Sequence, residues 1–422
     1  MSVPKLRFKE FDGDWNKNTI GDFVLNYKGG ASLKPTDFVE YSKYEVIPKK
    51  AISSGGRLTL DREQPTFCTN EFFNSNQNYV VDSEYLITTL RDLVPSGPSI
   101  GYIVKYENDK KYLLAQGVYG FRVKNNLNKD FLIQYSNTLK FRLHMQSIMV
   151  GSTQVHIRNQ DYFSTEIYTP SLVEQAKTTS FLSAVDEKIA QLTQKHVLLN
   201  QYKQGMMQKL FSQQIRFKAD DGSKFGEWES YKLFDLAKDK TLNNGVFNDQ
   251  NKVGKGYKLI NVLDMYIKRD IDESRLNLLD LDKKEFEKNK VSYGDIFFTR
   301  SSLVKEGIAF SNVYLGVSND ITYDGHLIKL SPNLNIVEPK FLNYCLKTAD
   351  VRKQLIQGGK TATMTTIGQQ EVGNTIVNIP CLEEQTKIAN FLFAIDQKIE
   401  VVAKQIEQAK QWKKGLLQQM FV

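Results

Sequence analysis

The chain contains one long amphipathic segment twice. Residues 171–211 and 381–421 align without a gap at an offset of 210, and 15 of the 41 positions are identical. A proline precedes each copy, Pro170 in the first and Pro380 in the second. A repeat separated by half the chain predicts two similar units arranged about an approximate twofold axis, each a globular part followed by a helix.

Apolar residues in both copies follow the 3-4 spacing of a heptad repeat over four heptads, which is typical of a coiled coil. The seam residues are Leu182, Val185, Ile189, Leu192, Leu199 and Met206 in the first copy, and Leu392, Ile395, Ile399, Val402, Ile406 and Leu416 in the second. Lys203 and Lys413 occupy equivalent polar positions, where we expect them to define the register. Periodicity alone fits a plain structural spacer equally well.

The helix starts carry a capping pattern. Ser171 and Glu174 have the spacing of a capping box, in which each side chain bonds the other residue's backbone amide. The second copy keeps Glu384 but has Cys381 in place of the serine, which predicts half of the box. The first helix leads into the second globular part and the second helix leaves it. Because the termini of a domain often lie close together, we expect the helices to pack antiparallel.

The globular parts have mixed patterns. Strand-like runs at 84–89 and 294–299 are each followed by a glycine-containing loop and a second short run, at 101–104 and 307–310. Helical stretches are predicted near 131–148 and 341–357. We therefore predict an α+β fold class with two similar mixed α/β domains, 1–169 and 214–379. Two long helices, 170–213 and 380–422, separate them and pack as a pseudo-twofold symmetric antiparallel coiled coil.

The composition is that of an ordinary globular protein, with 41% apolar and 25% charged residues among 422. No apolar run approaches the roughly 18 residues that cross a bilayer, and no apolar signal segment is visible at the N-terminus. We therefore expect a cytoplasmic protein without a membrane partner, whose three widely spaced cysteines are reduced. The net charge of +8 favours a polyanion such as duplex DNA, although many unrelated proteins are equally basic.

Sequence motifs for catalysis are missing. Gly359-Lys360-Thr361 resembles the end of a phosphate-binding loop, but its first glycine would fall at Gln354. No Gly-X-Gly-X-X-Gly follows a predicted strand. The four histidines and three cysteines show no metal-ligand spacing. We therefore expect a binding protein with no catalytic residue, metal or cofactor of its own.

Several motifs together resemble the specificity (S) subunits of type I restriction–modification systems. The helices open with Pro170-Ser171-Leu172-Val173-Glu174-Gln175 and with Pro380-Cys381-Leu382-Glu383-Glu384-Gln385, and both continue with Phe-Leu-X-Ala-(Val/Ile)-Asp-X-Lys-Ile. The Gly294-Asp295-Ile296 run and the segments ending at Trp15 and Trp228 also look like that family. The resemblance covers essentially the whole chain.

The resemblance implies a non-catalytic, sequence-specific subunit that binds double-stranded DNA. Each globular part would be a target recognition domain for one half of a bipartite asymmetric site, and the helices would set the gap between the halves. Two methyltransferase subunits and restriction/translocase subunits would dock on the chain, and S-adenosylmethionine, ATP and Mg would be used by those partners. The alternative is a coiled-coil interaction scaffold without DNA specificity.

Candidate DNA contacts are polar residues on loops, since base edges and phosphates are read by such side chains. In the second domain they form two groups: Lys252, Lys255 and Tyr257, then Arg300, Ser301, Ser302 and Lys305. In the first domain the comparable residues are Arg57 and Arg91, and Lys360 and Thr361 are expected phosphate contacts. For each residue, the alternative is a solvated surface position.

Overall fold

The computed structural model describes residues 3–267 and 269–422, except for the side chain of Gln250. The chain forms two compact units. The first unit combines Met1–Gln194 with Lys404–Val422, and the second unit is Lys195–Ala403. Each long helix therefore contributes residues to both units.

The helices and strands of the two halves follow a similar order along the chain, with differences in the number of short strands between the helices. The first half contains β1 (Asn16–Thr19), α1 (Ile20–Phe23), β2 (Val24–Lys28), β3 (Phe38–Val39), β4 (Val46–Ile47), β5 (Phe67–Cys68), α2 (Asn70–Ser75), β6 (Val80–Val81), β7 (Leu86–Thr89), β8 (Arg91–Asp92), β9 (Ile103–Val104), β10 (Tyr112–Leu114), β11 (Val118–Val123), α3 (Lys129–Ser136), α4 (Leu139–Ser147), β12 (Val155–His156), α5 (Asn159–Phe163), β13 (Glu166–Thr169) and α6 (Leu172–Phe211). The second half contains β14 (Glu229–Lys232), α7 (Leu233–Leu236), β15 (Ala237–Asn244), β16 (Val253–Ile260), β17 (Asn277–Leu279), α8 (Lys283–Lys288), β18 (Ile296–Thr299), β19 (Ser301–Ser302), β20 (Ser311–Val313), β21 (Ile321–Tyr323), β22 (Leu327–Pro332), α9 (Pro339–Cys345), α10 (Ala349–Gly358), β23 (Lys360–Thr361), β24 (Thr365–Thr366), α11 (Gln369–Gly373), β25 (Ile376–Ile379) and α12 (Leu382–Met420).

The first unit is built on an antiparallel sheet of order β2-β11-β7-β9. Strand β1 pairs antiparallel with β13, which joins the two ends of the first globular part. A three-stranded sheet has the order β4-β10-β6, with β10 parallel to β4 and antiparallel to β6. The main sheet packs on α3 around Leu86, Phe121 and Phe131, and the end of α12 adds Leu416 and Met420 to the same core.

The second unit repeats the terminal strand pair and the main sheet. Strand β14 pairs with β25, and the main sheet has the order β15-β22-β18-β20. Its core contains Ile296, Phe298 and Phe341, together with Leu210 from the end of α6. A three-stranded sheet of order β17-β16-β21 again includes one parallel pair, β16 with β21. The architecture matches the predicted pair of similar α+β units.

The two stretches that were predicted to be helical each contain two helices. The chain breaks at Thr138, between α3 and α4, and at Thr348, between α9 and α10. The Thr138 hydroxyl accepts from the Phe141 amide at 3.3 Å. Because a threonine hydroxyl satisfies an amide at a helix start, Thr138 favours a new helix over continuation of the old one. Thr348 makes no such bond, and its hydroxyl donates to the Cys345 carbonyl at 2.7 Å.

The run 307–310 is not a strand, contrary to its pattern. Lys305–Gly307 forms a 3-10 turn, and Ala309 has a φ of 49°. A left-handed backbone does not continue a strand, so β20 begins only at Ser311. The equivalent run in the first unit does contain a strand, β9 at Ile103–Val104.

An arginine near the start of each globular part binds the start of the long helix that follows that part. Arg7 Nε and Nη2 donate to the two carboxylate oxygens of Glu174 at 2.7 and 2.8 Å, and Trp15 Nε1 donates to the same carboxylate at 3.2 Å. The capping-box prediction is therefore wrong for the Glu174 carboxylate. Only its other half forms, since the Ser171 hydroxyl accepts from the Glu174 amide at 3.4 Å.

The second unit contains the same arrangement. Arg216 Nε and Nη2 donate to the Glu384 carboxylate at 3.1 and 2.7 Å. The ring of Trp228 contacts Phe211 and Phe341, as the ring of Trp15 contacts the equivalent phenylalanines of the first unit. One difference is that the Trp228 indole N–H is buried without a hydrogen-bond partner among the described residues.

Two lysine–aspartate pairs join the long helices at equivalent positions. Lys413 lies 2.6 Å from Asp186 in the first unit, and Lys203 lies 2.6 Å from Asp396 in the second. Glu174 near the start of α6 contacts Trp15, which packs on Phe421 after the end of α12. Since residue 174 lies near residue 421 and residue 186 near residue 413, the helix parts in this unit run antiparallel.

None of the twelve predicted seam residues is exposed. Eight are buried: Leu182, Val185, Leu392, Ile395, Ile399, Val402, Ile406 and Leu416. Ile189, Leu192, Leu199 and Met206 are half-buried.

No described helix is long and apolar enough to cross a membrane. Cys68, Cys345 and Cys381 form no disulfide.

Candidate nucleic-acid interface

The structure brings five of the predicted contacts in the second unit together on one small sheet. This sheet has the order β19-β24-β23. Ser301 and Ser302 pair with Thr366 and Thr365, and the same strand pairs on its other side with Lys360 and Thr361. Arg300 joins them because its amide donates to the His326 carbonyl at 2.9 Å and its carbonyl accepts from the Ile367 amide at 3.0 Å. We call residues 300–302, 360–361 and 365–366 the second-unit edge.

A cleft of about 530 Å³ opens at the second-unit edge, lined in part by Arg300, Ser301, His326, Lys360 and Glu371. Within the described chain, the exposed Arg300 guanidinium makes no side-chain hydrogen bond or ion pair. Lys360 is 3.2 Å from Glu371 but remains 83% exposed. Backbone amides and the Lys360 ammonium hold the pKa of Glu371 below its usual value. The edge therefore presents an exposed guanidinium and an exposed ammonium to a ligand.

A buried aspartate positions the strand that leads to Arg300. Gly294 has a φ of 90°, which glycine adopts without strain. The next residue, Asp295, accepts from the Ser292 amide at 2.9 Å and lies 3.5 Å from Lys329. Burial raises the pKa of Asp295, and the Lys329 charge opposes that shift. The Gly-Asp pair thus closes the turn before β18 and has a structural role.

The loop after β19 is held by the helix behind it. Arg352 on α10 donates to the carbonyls of Glu306, Ile308 and Ala309 at 2.7 to 2.9 Å. The exposed Lys305 begins the turn in this loop. Lys305 therefore lies next to the second-unit edge, on a loop that the hydrogen bonds from Arg352 hold in place.

The other predicted group lies on a different sheet. Lys252 precedes β16, and Lys255 and Tyr257 lie within it, so the structure does not place them on the second-unit edge. The Tyr257 ring stacks on Phe286 at 3.7 Å between centroids, which occupies one ring face. Lys255 lies 3.0 Å from Asp280 and is 78% exposed. Lys252, Lys255 and Tyr257 remain candidate DNA contacts, on a surface separate from the second-unit edge.

The first unit has the same edge at the same offset of 210. Arg91 and Asp92 pair with His156 and Val155, as Ser301 and Ser302 pair with Thr366 and Thr365. The bridge between Val150 and His156 repeats the pairing of Lys360 with Thr366. We call residues 91–92, 150 and 155–156 the first-unit edge. Arg91 therefore corresponds to Ser301, while the position of Arg300 is held by Leu90, which is 1% exposed.

Arg57 does not lie on the first-unit edge. It bridges to Lys105, directly after β9, whose Val104 pairs with Ile87 near the start of β7. Arg91 follows the other end of β7. At about 3.3 Å per strand residue, some 10 to 15 Å of sheet separates the two arginines. The structure therefore does not bring Arg57 and Arg91 together.

Sequence reasoning missed His326 and His156. Their spacing along the chain fits no metal site, so the sequence gives no reason to single them out. His326 follows Asp324 by two residues in the turn between β21 and β22, and its amide donates to the Asp324 carboxylate at 2.7 Å. The Asp324-Gly325 dipeptide is a turn signal that would have marked this position.

Comparisons with known proteins agree with this architecture. The chain matches the family described as type I restriction modification DNA specificity domain twice, over residues 12–201 and 226–411. The type I restriction enzyme MjaVIII specificity subunit of Methanocaldococcus jannaschii is 24% identical over 425 residues, 97% of this chain and 94% of that protein. A relative from the same organism, described as the MjaX specificity subunit, is 28% identical over 199 residues, 46% of this chain and 45% of that protein.

Solved structures share the fold. The S subunit of the type I restriction–modification system from M. genitalium has a TM-score of 0.59 over 100% of this chain and 99% of that one, at 16% identity. A chain from work on complex assembly and conformational transition of the type I R-M system has a TM-score of 0.53 over 96% of both chains, at 15% identity. The predicted fold class and the resemblance found in the sequence are both confirmed. The chain belongs to the family of type I restriction modification DNA specificity domains and contains two copies of that domain.

Proposed function

We propose that the chain is the non-catalytic DNA-binding subunit of a type I restriction–modification complex and reads a bipartite asymmetric site. The observation that carries the proposal is the pair of edges. They have the same strand pairings at an offset of 210, but Arg91, Val150 and His156 stand where the second edge has Ser301, Lys360 and Thr366. Because the two edges share a backbone arrangement but carry different side chains, they are suited to bind two half-sites of different sequence.

The parts that are repeated faithfully support docking of two identical partners. The arginine–glutamate pair at each helix start and the lysine–aspartate pair within each unit recur with the same residue types. Two copies of one surface bind two copies of one protein most simply. We infer that two methyltransferase subunits dock on the chain and that restriction/translocase subunits join them in the cytoplasm. S-adenosylmethionine, ATP and Mg would act in those partners.

The test uses the full chain mixed with its methyltransferase partner. Methylated adenines mapped in a genome that expresses the complete system define the site, and duplexes with and without that site are compared in binding assays over a salt series. We expect the affinity of the complex for DNA to fall as the salt concentration rises. The preference for the duplex that contains the site should persist over the whole salt series. A chain that forms no such complex, or that binds both duplexes equally, is a coiled-coil scaffold without DNA specificity.

A further inference from the structure

The two units carry different residues at one equivalent backbone position, next to the first-unit edge and the second-unit edge. In the first unit the Leu90 amide donates to the Gly117 carbonyl at 3.1 Å, and in the second the Arg300 amide donates to the His326 carbonyl at 2.9 Å. The neighbouring strand pairs support the same alignment, since Thr89 pairs with Val118 and Thr299 pairs with Leu327. Gly117 and His326 are therefore structurally equivalent.

In the first unit this position is a glycine, and the side chain of Arg91 occupies the space beside it. A Cβ built on Gly117 would lie 3.0 Å from Arg91 Cβ and 3.3 Å from its Cδ. Gly117 also has a φ of 87°, which disfavours other residues. The side chain of Arg91 thus lies along the space that a side chain at position 117 would fill.

In the second unit, the position holds an oriented imidazole. His326 Nδ1 lies 2.8 Å from Asp324 Oδ1, and its ring is 68% exposed while the Asp324 side chain is 6% exposed. Asn248 donates to the other carboxylate oxygen at 3.0 Å. A carboxylate at Nδ1 holds the proton there, so Nε2 of the neutral ring is an acceptor. His326 Nε2 has no hydrogen-bond partner in the part of the chain described, and the residue lines the cleft beside Arg300.

We propose that His326 is a specificity-determining residue for the second half-site. Its Nε2 accepts a hydrogen bond from the exocyclic amino group of an adenine or cytosine in the major groove, where such amino groups are exposed. Asp324 is a positioning residue that sets the tautomer and the ring direction. Arg91 occupies the equivalent place in the first unit and, as a donor, contacts guanine there. This inference rests on the proposed function.

The experiment compares variants of the full chain in complex with the methyltransferase partner. Each base pair of both half-sites is substituted in turn, and affinity is measured. His326→Ala should reduce discrimination at one base pair of the second half-site about tenfold and leave the first half-site unchanged. Asp324→Asn should weaken discrimination at the same base pair only. His144→Ala, which changes an exposed histidine of α4, is the matched control and should behave like the wild type.

Removal of the amino group from the contacted base gives a second readout. A duplex with hydrogen in place of that amino group should bind the wild type about tenfold more weakly and should bind His326→Ala without further loss. In the first unit, Gly117→Ala and Arg91→Ala should both alter recognition of only the first half-site, since the first change displaces the guanidinium and the second removes it.

The outcomes are separable. If the wild type is selective and His326→Ala keeps full discrimination at every base pair, or loses affinity equally for all sequences, the assignment of His326 is wrong and the proposed function stands. If the wild-type complex shows no site preference, both proposals are wrong.

Discussion

Arg216 and Glu384 illustrate how single residues secure the helix starts. The Glu384 side chain is fully buried and the Arg216 side chain is 23% exposed. The hydrogen bond to Glu384 raises the pKa of Arg216, with burial opposing it. A buried carboxylate with a bidentate guanidinium is well satisfied, whereas the same carboxylate alone has a large desolvation penalty.

We predict that Arg216→Met lowers the free energy of unfolding of the second unit by about 3–5 kcal/mol, because it leaves Glu384 unpaired. Urea unfolding of the full chain, followed by circular dichroism, measures the change. The double variant Arg216→Met/Glu384→Gln should recover most of the loss. Lys255→Met is the control: its pair with Asp280 is exposed and should contribute roughly 0–1 kcal/mol. Equal losses for the two single variants would contradict the argument.

Arg300 is the free cation of the second-unit edge. We predict that Arg300→Ala costs about 1–3 kcal/mol of binding free energy if the guanidinium pairs with a guanine. The effect should appear in methylation of one half-site only, measured by adenine mapping in a genome that expresses the complex. A uniform loss for all sequences would instead identify Arg300 as a phosphate contact.

At the scale of elements, the long helices were predictable, and the breaks within the shorter helical stretches were not. A heptad stripe sustained over four heptads specifies helix and buried face together, and the structure has helices at Leu172–Phe211 and Leu382–Met420. The break at Thr138 depends on local capping, and the late start of β20 depends on one left-handed residue. Apolar periodicity does not report such features.

The lysine–aspartate pairs give a prediction for the helices. Asp396 is 10% exposed and Asp186 is 34% exposed. Because the penalty for an unpaired carboxylate grows with burial, Lys203→Met should cost about 3 kcal/mol and Lys413→Met about 1 kcal/mol. Tyr344, which donates to Asp396 at 2.6 Å, offsets part of the first loss. Denaturant unfolding of both variants tests the order, and a larger loss for Lys413→Met would refute the burial argument.

At the scale of the whole molecule, a repeat in the sequence corresponds to a repeat in the fold. Each long helix contributes residues to both compact units. If these helices set the gap between half-sites, the gap depends on their length. Seven residues add about 10 Å of helix, which is close to three base pairs of B-DNA, and nearly preserve the seam.

We therefore predict that one heptad inserted after Leu192, with a matched heptad after Val402, lengthens the gap between half-sites by about three base pairs. Mapped methylation sites give the new gap directly. Paired insertions of five residues are the control, since they rotate the seam by about 140° and should prevent helix pairing. An unchanged gap with the heptad variant would exclude the spacer role of the helices.

The sequence by itself determined the duplication, the long helices with their buried stripe, the α+β class and the family, because periodicity and repeated motifs are local or directly comparable along the chain. Only the tertiary structure decided which candidate residues meet. Arg300 and Lys360 come together through strand pairings between segments 60 residues apart, whereas Arg57 and Arg91 lie near opposite ends of β7. Glu174 bonds Arg7 instead of its own helix cap. Such contacts depend on strand register and side-chain direction, which a pattern of residue types does not encode.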